Sequence, residues 1–363
     1  MNKTALQLLA ATSLIIGAEA IAMPETNLLA DAQPSGVSVG YDNGFRIAND
    51  KASLTLNAQI QAGASYVDVD QGDNDFNFDI FSARLEASGD ALGGKVSYML
   101  EYDFVDGEQG SDEDGGALLD GWAQINFSDH ARLRIGQTRA PYSRQQLAEG
   151  YQLLTTKRSL VTEILAPGRD RGAMFHGASN KAGYAIGVFN GEGQNVVADD
   201  TDLLVSGQVW LNLGDYGSRI EESDLRDSGQ LAGTIGLGSF YAENEDQEIF
   251  SINLDAGLRV EGFSLNSEVH WQSRDNDLFE EDVVGVLAQV GYNLGAFELG
   301  YQFSTIGRDE LEEPTEHTIV GTHYLNGHWS KLQLGVTLAD NTVVDGGSSE
   351  DDIRVDFIFT QRL

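Results

Sequence analysis

The chain contains no cysteine among its 363 residues, and it has only five prolines. Without cysteine there is no disulfide framework, no thiolate nucleophile and no thiolate metal site. After the first 22 residues no segment approaches about 20 consecutive apolar residues, so no transmembrane helix is predicted there. The sequence also lacks a metalloprotease HExxH, a phosphate-binding loop and a G-x-S-x-G nucleophile turn. We therefore expect no cofactor, no metal centre and no enzymatic activity.

Positive charge is scarce as well. The chain has 22 Lys and Arg against 57 Asp and Glu, a formal net charge of -35. This balance argues against binding of nucleic acid through a broad basic face. The acidic residues fit two interpretations, a highly solvated surface or surface loops that bind divalent cations.

The N-terminus has the pattern of a secretory signal peptide. Lys3 is followed by an apolar run over Thr4–Gly17 and by small-residue cleavage sites that end at Ala22. We expect residues 1–22 to be removed and residues 23–50 to form a short N-terminal periplasmic segment.

From about residue 51 to residue 363 the chain alternates apolar and polar residues. In Ser53–Val67 the even positions are mostly apolar and the odd positions mostly polar, which is the period of a β-strand. The pattern recurs about 16 times, an even number that suits a closed antiparallel barrel. Short connections alternate with long ones, although Gly214–Gly229 is long on the side of the short turns. The sequence thus predicts an all-β fold, a transmembrane antiparallel β-barrel of about 16 strands.

A soluble β-sheet protein would show a similar alternation in each strand. The second face distinguishes the two, because it stays polar in strand after strand, as at Gln59, Glu101, Asp120, Glu268 and Gln302. A polar inner face indicates a water-filled barrel. A surface β-protein acting in adhesion is the less favoured alternative. We expect His270, on this polar face, to be a solvated wall residue.

One stretch, residues 132–172, concentrates positive charge in this acidic chain. Its basic residues are Arg132, Arg134, Arg139, Arg144, Lys157, Arg158, Arg169 and Arg171. It includes a connection at about residues 138–171 with many apolar residues of its own, which favours folding into the barrel as a constriction loop. Arg and Lys would then lie across the pore, as in anion-selective channels. Alternatively, these residues pair with wall carboxylates and select nothing.

The same region resembles the phosphate-selective porin O and P family. The resemblance rests on Tyr41–Phe45, Arg134–Ser143, Lys157–Leu160, Ala166–Met174 and Ala185–Gly191. It implies an outer-membrane barrel of 16 strands, usually trimeric, whose constriction carries basic residues that pass phosphate or other anions. Arg139, Arg158 and Arg169 match the family best. The chain departs from it in having six lysines in all and in ending at Leu363 rather than Phe.

Together these features predict a passive porin of the bacterial outer membrane for small anions such as phosphate or polyphosphate. Its expected partners are the permeating anions, outer-membrane lipid with lipopolysaccharide, and two further copies in a homotrimer, with no nucleic acid. The alternative is a general diffusion porin whose acidic lumen favours cations.

Overall fold

The computed structural model describes residues 36–41, 44–69, 74–105, 116–196, 202–226, 229–244, 247–276, 280–308, 313–344 and 348–363. The predicted signal peptide lies outside these residues, as does most of the predicted N-terminal segment. Two short strands come first, and β2 pairs with the start of β3. The strands are β1 (Ser38–Tyr41), β2 (Phe45–Ala48), β3 (Ser53–Val69), β4 (Asp75–Ala91), β5 (Val96–Asp103), β6 (Ala117–Ser128), β7 (Ala131–Arg139), β8 (Arg169–Ala178), β9 (Ala182–Phe189), β10 (Leu203–Leu213), β11 (Ala232–Glu243), β12 (Gln247–Val260), β13 (Phe263–Asn276), β14 (Glu280–Asn293), β15 (Phe297–Arg308), β16 (Thr315–Asn326), β17 (Ser330–Val344) and β18 (Ser348–Arg362).

Strands β3 to β18 form one closed barrel of 16 strands. Each pairs antiparallel with the next, and β18 returns to β3 from Asp352 opposite Val69 to Arg362 opposite Gln59. Closure gives every strand two hydrogen-bonded neighbours, as a bilayer requires. The predicted fold class is confirmed, and each of the 16 alternating segments is a barrel strand.

The two faces of the barrel wall differ as predicted. Outward side chains are apolar and exposed, for example Phe78, Leu299 and Ile319 at 83%, 64% and 63% exposure. Inward neighbours such as Gln302 and Thr318 are buried and polar. An exposed apolar belt around a polar interior is the arrangement of a barrel in lipid. None of the helices in the described ranges is long and apolar enough to span a membrane.

The ends of the barrel are called the turn end, with mostly short connections, and the loop end. Several loop-end connections are shorter than predicted, because the ladder continues into the regions predicted as Ser273–Glu281 and Asp340–Asp352. Arg274 pairs with Glu281, and Thr342 pairs with Glu350. The strand ladder thus extends farther toward the loop end than the sequence predicts.

Candidate functional site

The constriction loop, residues 140–168, joins β7 to β8 and lies inside the barrel. It contains helix α1 (Arg144–Leu147), a 3-10 turn (Gly150–Gln152) and helix α2 (Leu160–Leu165). Each helix begins at a serine cap: Ser143 Oγ accepts from the Gln146 N–H, and Ser159 Oγ accepts from the Thr162 N–H, both at 3.2 Å. Such caps satisfy backbone donors that would otherwise be orphaned inside the barrel.

Apolar residues of the loop pack on the barrel wall. Val161 and Leu165 of α2 are buried against Val283 of β14 and Ile306 of β15. At the other end of the loop, Tyr142 packs edge-on against Phe240, with 4.9 Å between the ring centroids. Burial of this apolar surface stabilises the inward conformation.

The wall provides space for the loop where inward positions are glycine. A Cβ at Gly238 would overlap the Tyr142 carbonyl oxygen, and one at Gly300 would lie 2.9 Å from Leu154 Cδ1. Side chains here would displace the loop backbone or its apolar anchors. These glycines therefore mark the path of the loop on the wall.

Polar anchors also fasten the loop. Lys157 Nζ donates to Glu316 Oε1 of β16 at 2.8 Å, and Lys331 Nζ of β17 donates to the Leu153 carbonyl at 3.0 Å. Gln145 is a hub: its backbone N–H donates to Glu268 Oε1 at 2.7 Å, and its Oε1 accepts from the Ser159 hydroxyl at 2.6 Å. Because these partners lie on different strands, the loop is held across a wide arc of wall.

A second inward segment lies below the loop. Residues 215–226, called the turn-end plug, belong to the long turn between β10 and β11 that the sequence left without explanation. Tyr216 and Glu222 are each 1% exposed. Glu222 accepts from the Gln145 side chain at 3.0 Å and from the Leu154 backbone N–H at 2.7 Å. This turn is long because it fills the barrel beneath the constriction loop and supports it.

Four arginines come together where the loop faces β4 to β8. This arginine layer consists of Arg84 of β4, Arg139 of β7, Arg158 of the loop and Arg169 of β8. Arg139 holds Glu149 with two hydrogen bonds, at 3.0 and 3.2 Å. Arg84 Nη1 also lies 3.9 Å from Glu149 Oε2. The layer thus forms around one loop carboxylate.

Wall carboxylates lie against the layer. Arg84 binds Asp103 at 2.8 Å, Arg169 binds Asp120 at 3.0 Å, and Glu101 lies 3.5 Å from Arg84 and 3.8 Å from Arg169. The Asp103 and Glu101 side chains are 0% and 4% exposed, against 14% for Arg84. Arg84 is thus more accessible than the two carboxylates that it contacts, whereas Arg169 and Asp120 are about equally exposed, at 11% and 10%.

Arg158 differs from the other three members. It donates to the Ala148 carbonyl. Among the described residues, no carboxylate oxygen lies within 4.0 Å of its guanidinium nitrogens. Burial, and then repulsion from Arg139, lowers the pKa of Arg158, which still leaves it protonated at pH 7. Arg158 is therefore a cation with no carboxylate in direct contact among the described residues, although Glu149 is near enough to attract it.

The neighbouring arginines also determine the protonation state of Glu149. Burial alone would raise the pKa of its carboxyl, but the attraction of Arg139, Arg169 and Arg84 outweighs burial and lowers it to about 2. Glu149 is therefore ionised throughout the physiological range.

Of the eight basic residues predicted for the pore, the structure brings Arg139, Arg158 and Arg169 together. Arg134 lies beside them, stacked on Trp122. Arg144, the first residue of α1, is buried and donates to the Tyr216 hydroxyl of the turn-end plug at 3.3 Å.

The other three basic residues lie apart from the layer. Lys157 is paired with Glu316. Arg132 lies at the turn end, where it donates to the Asp129 carbonyl at 3.3 Å. Arg171 is placed opposite Gln137 in the ladder between β7 and β8.

Two wall residues have roles that differ from the sequence expectation. Arg84 was missed, although a single Arg on the polar face of β4 was a visible signal. His270 was expected to be solvated, and that was wrong. It is 0% exposed and bonded to Tyr142 at 3.0 Å and to Glu268 at 3.1 Å, because the constriction loop covers it.

Comparison with known proteins agrees with the barrel fold. A family model described as phosphate-selective porin O and P matches residues 54–209, a span that runs from β3 into β10 and includes the constriction loop. The resemblance seen in the sequence is confirmed. A relative from Aquifex aeolicus (strain VF5), named only as an uncharacterized protein, is 23% identical over 356 residues, covering 83% of this chain and 86% of the relative.

Solved structures share the fold. An anion-selective porin from Comamonas acidovorans superposes with a TM-score of 0.62 at 14% identity, covering 86% of this chain and 100% of that one. The trimer form of in-vitro folded OmpT, an outer membrane protein of Vibrio cholerae, gives 0.59 at 9% identity, with 86% and 100% covered.

The fold and the inward loop define the class: the chain is a porin-like channel of the bacterial outer membrane. Within that class its family match is to the phosphate-selective porins O and P. The match and the fold point to a channel rather than an enzyme.

Proposed function

We propose that the chain is a passive channel that favours small anions, with phosphate as the lead solute. The observation that carries the proposal is the arginine layer at the edge of the constriction loop, with Arg158 unpaired among the described residues. A solute that passes the loop on this side meets these guanidinium groups together with Glu149, whereas Glu101 and Asp103 are buried behind Arg84.

Magnitudes favour local charge over the net acidity of the chain. A cation about 5 Å from a permeating ion contributes roughly 3 kcal/mol at an effective dielectric near 20. Acidic residues farther from the constriction than the screening length of about 8 Å at physiological salt contribute little there. The charges at the constriction therefore determine the preference.

Phosphate is the lead candidate because of the chemistry of arginine. A guanidinium is planar, stays charged and offers paired N–H donors that match two phosphate oxygens. Transport needs no covalent step: the anion loses part of its hydration, pairs briefly with Arg158 and its neighbours, and leaves. We propose accordingly that the chain has no catalytic activity and needs no cofactor.

A cation-preferring general porin is the second candidate, and one observation favours it. The four arginines of the layer face four carboxylates, Glu101, Asp103, Asp120 and Glu149, so the formal charges cancel. Glu149 is 26% exposed, more than Arg139 at 9%. If the charge of Glu149 acts on a permeating ion more strongly than the charge of Arg158, cations will be preferred.

Titration of the chloride conductance with phosphate in planar bilayers tests whether phosphate binds in the channel. We expect phosphate to reduce the conductance at millimolar concentrations, and the triple substitution Arg139→Ala, Arg158→Ala and Arg169→Ala to weaken that block. Lys181→Ala, at the turn between β8 and β9, is the matched control. Equal block in wild type and triple variant would remove phosphate as the lead solute.

We further propose that the channel is a homotrimer in contact with outer-membrane lipid and lipopolysaccharide. The support is that the similar OmpT structure is a trimer form, together with the exposed apolar belt of this chain. Native mass spectrometry of the detergent-extracted, unheated protein measures the copy number, and a monomer alone would contradict the trimer.

A further inference from the structure

Beside the arginine layer is a chamber of about 270 Å³. It lies between the wall of β5 to β10 and the near edge of the loop. Its lining includes the indoles of Trp122 and Trp210, the apolar side chains of Met174 and Ala185, and the guanidinium groups of Arg134 and Arg139. The carboxylates of Asp120 and Glu149 also line it, and they are hydrogen-bonded to Arg169 and Arg139. Two indoles and two methionines, Met99 and Met174, are unusual in a lumen whose other wall positions are mostly polar.

Arg134 is held in position without its charge being cancelled. Its Cζ lies 3.8 Å from the Trp122 ring centroid, its Nε donates to Gln124 at 3.2 Å, and its Nη1 donates to Thr138 at 3.1 Å. Both hydrogen-bond partners are neutral. Within the described ranges no carboxylate oxygen lies within 4.0 Å of its nitrogens. The guanidinium is therefore oriented and desolvated on one face, and it keeps its capacity to bind an anion.

The second indole has a comparable arrangement. The Arg219 guanidinium of the turn-end plug lies 5.3 Å from the Trp210 ring centroid, but Arg219 is paired with Asp255. The two sides of the chamber thus differ: Trp122 has an available cation beside it, and Trp210 has a neutralised one. One side of the chamber suits a charged group and the other suits an apolar ring.

We propose that this chamber is a binding subsite for small aromatic carboxylates. The carboxylate would pair with Arg134, and the ring would pack against Met174, Ala185 and an indole. Aromatic rings gain from offset or edge contacts with indoles and from sulfur contacts, which an inorganic anion cannot make. Pockets of this kind are mainly apolar, with a few polar groups that fix orientation. The inference rests on the proposed passage of anions and names one class of them.

Block of chloride conductance tests the subsite, with benzoate, acetate and cyclohexanecarboxylate as probes on the full-length channel. Acetate has the carboxylate alone, and cyclohexanecarboxylate has a ring of similar size that is not aromatic. We expect benzoate to half-block at a concentration about tenfold below the other two, which is what one or two added aromatic contacts give. Equal half-blocking concentrations for all three probes would overturn the proposal.

Variants locate the site. Trp122→Leu and Arg134→Gln should each remove the advantage of benzoate over acetate. Two matched controls should keep it: Trp271→Leu changes an indole on the outer face of β13, and Arg132→Gln changes an arginine at the turn end of the same strand as Arg134. Heat-modifiable gel mobility shows that each variant is folded. Loss of the advantage in the controls as well, or its survival in both test variants, would contradict the assignment.

The half-blocking concentration measures binding inside the pore and does not depend on which bulk ion is preferred. A channel that prefers anions but blocks equally with all three probes would retain the proposed function and lose the subsite. A channel that prefers cations yet is blocked selectively by benzoate would keep the subsite and lose the proposed function.

Discussion

Glu222 of the turn-end plug accepts a hydrogen bond from the side chain of Gln145 in the constriction loop, with 3.0 Å between Oε1 and Nε2. Gln145 in turn accepts from Ser159 and Thr162 at the start of α2. A segment that enters from the turn end thereby supports both helices of a loop that enters from the other end. The shape of the constriction depends on both.

Substitution of Glu222 should loosen the loop. In Glu222→Gln one acceptor oxygen becomes a donor amide, so at least one of the N–H donors from Gln145, Leu154 and Gln289 loses its partner. Leaving a buried group unsatisfied costs about 1–3 kcal/mol. We expect a lower unfolding temperature and noisier single-channel current. Asp215→Asn, an exposed carboxylate of the same segment, is the control, and equal effects of the two changes would count against the support role.

The glycine path on the wall makes a separate prediction. Gly238→Ala places a methyl group against the Tyr142 backbone, so the start of the loop must shift. Overpacking of this kind costs about 1–3 kcal/mol. Thermal unfolding should report the loss, and conductance should change with it. Gly321→Ala on β16 has open space around the new methyl group and should behave as wild type; unaltered stability and conductance in Gly238→Ala would refute the close packing.

Removal of Arg139 should make the selectivity depend on pH. In wild type, arginine attraction lowers the pKa of Glu149 to about 2. In Arg139→Gln one of the arginines that lower the pKa of the Glu149 carboxyl is lost. Burial, which acts in the other direction, then raises this pKa toward and above its usual value. At pH 7 the variant should shift toward cations, because Glu149 remains ionised without its main counter-charge. As the pH falls through the raised pKa, Glu149 becomes neutral and the shift should reverse.

Zero-current potentials measured from pH 7 to pH 4 check this, with Arg139→Gln compared to wild type at every pH. The double variant Arg139→Gln with Glu149→Gln is the control, since it has no loop carboxylate to titrate and should lack the extra pH dependence. A single variant that follows the wild-type curve would show that Glu149 does not face the ion path.

The barrel could be predicted from the sequence because alternation of apolar and polar residues is a local property of each strand. The interior was harder. The polar inner face is interrupted by Val283, Leu287 and Ile306, and by Gly238 and Gly300, and these interruptions mark where the loop packs. These apolar and glycine residues would have predicted where the constriction loop packs, but only if the strand register had been known.

The ion pairs inside the lumen could not be predicted from the sequence for a different reason. Arg84 and Arg169 are 85 positions apart and meet only because β4 and β8 belong to one curved wall. Lys157 and Arg158 are adjacent, yet one is neutralised by Glu316 and the other is not. Charge counts along the chain cannot distinguish these cases, since the counter-charges come from other strands.

We propose that Arg158, which has no carboxylate in contact among the described residues, gives the constriction a preference for anions. The measurement that tests it most directly is the zero-current potential across a planar bilayer under a potassium chloride gradient, for wild type, Arg158→Gln and the control Arg132→Gln. We expect a potential with the sign of anion preference in wild type and Arg132→Gln, and a clear shift toward cations in Arg158→Gln. Cation preference in wild type, unchanged by Arg158→Gln, would contradict the account and leave the acidic lumen in control.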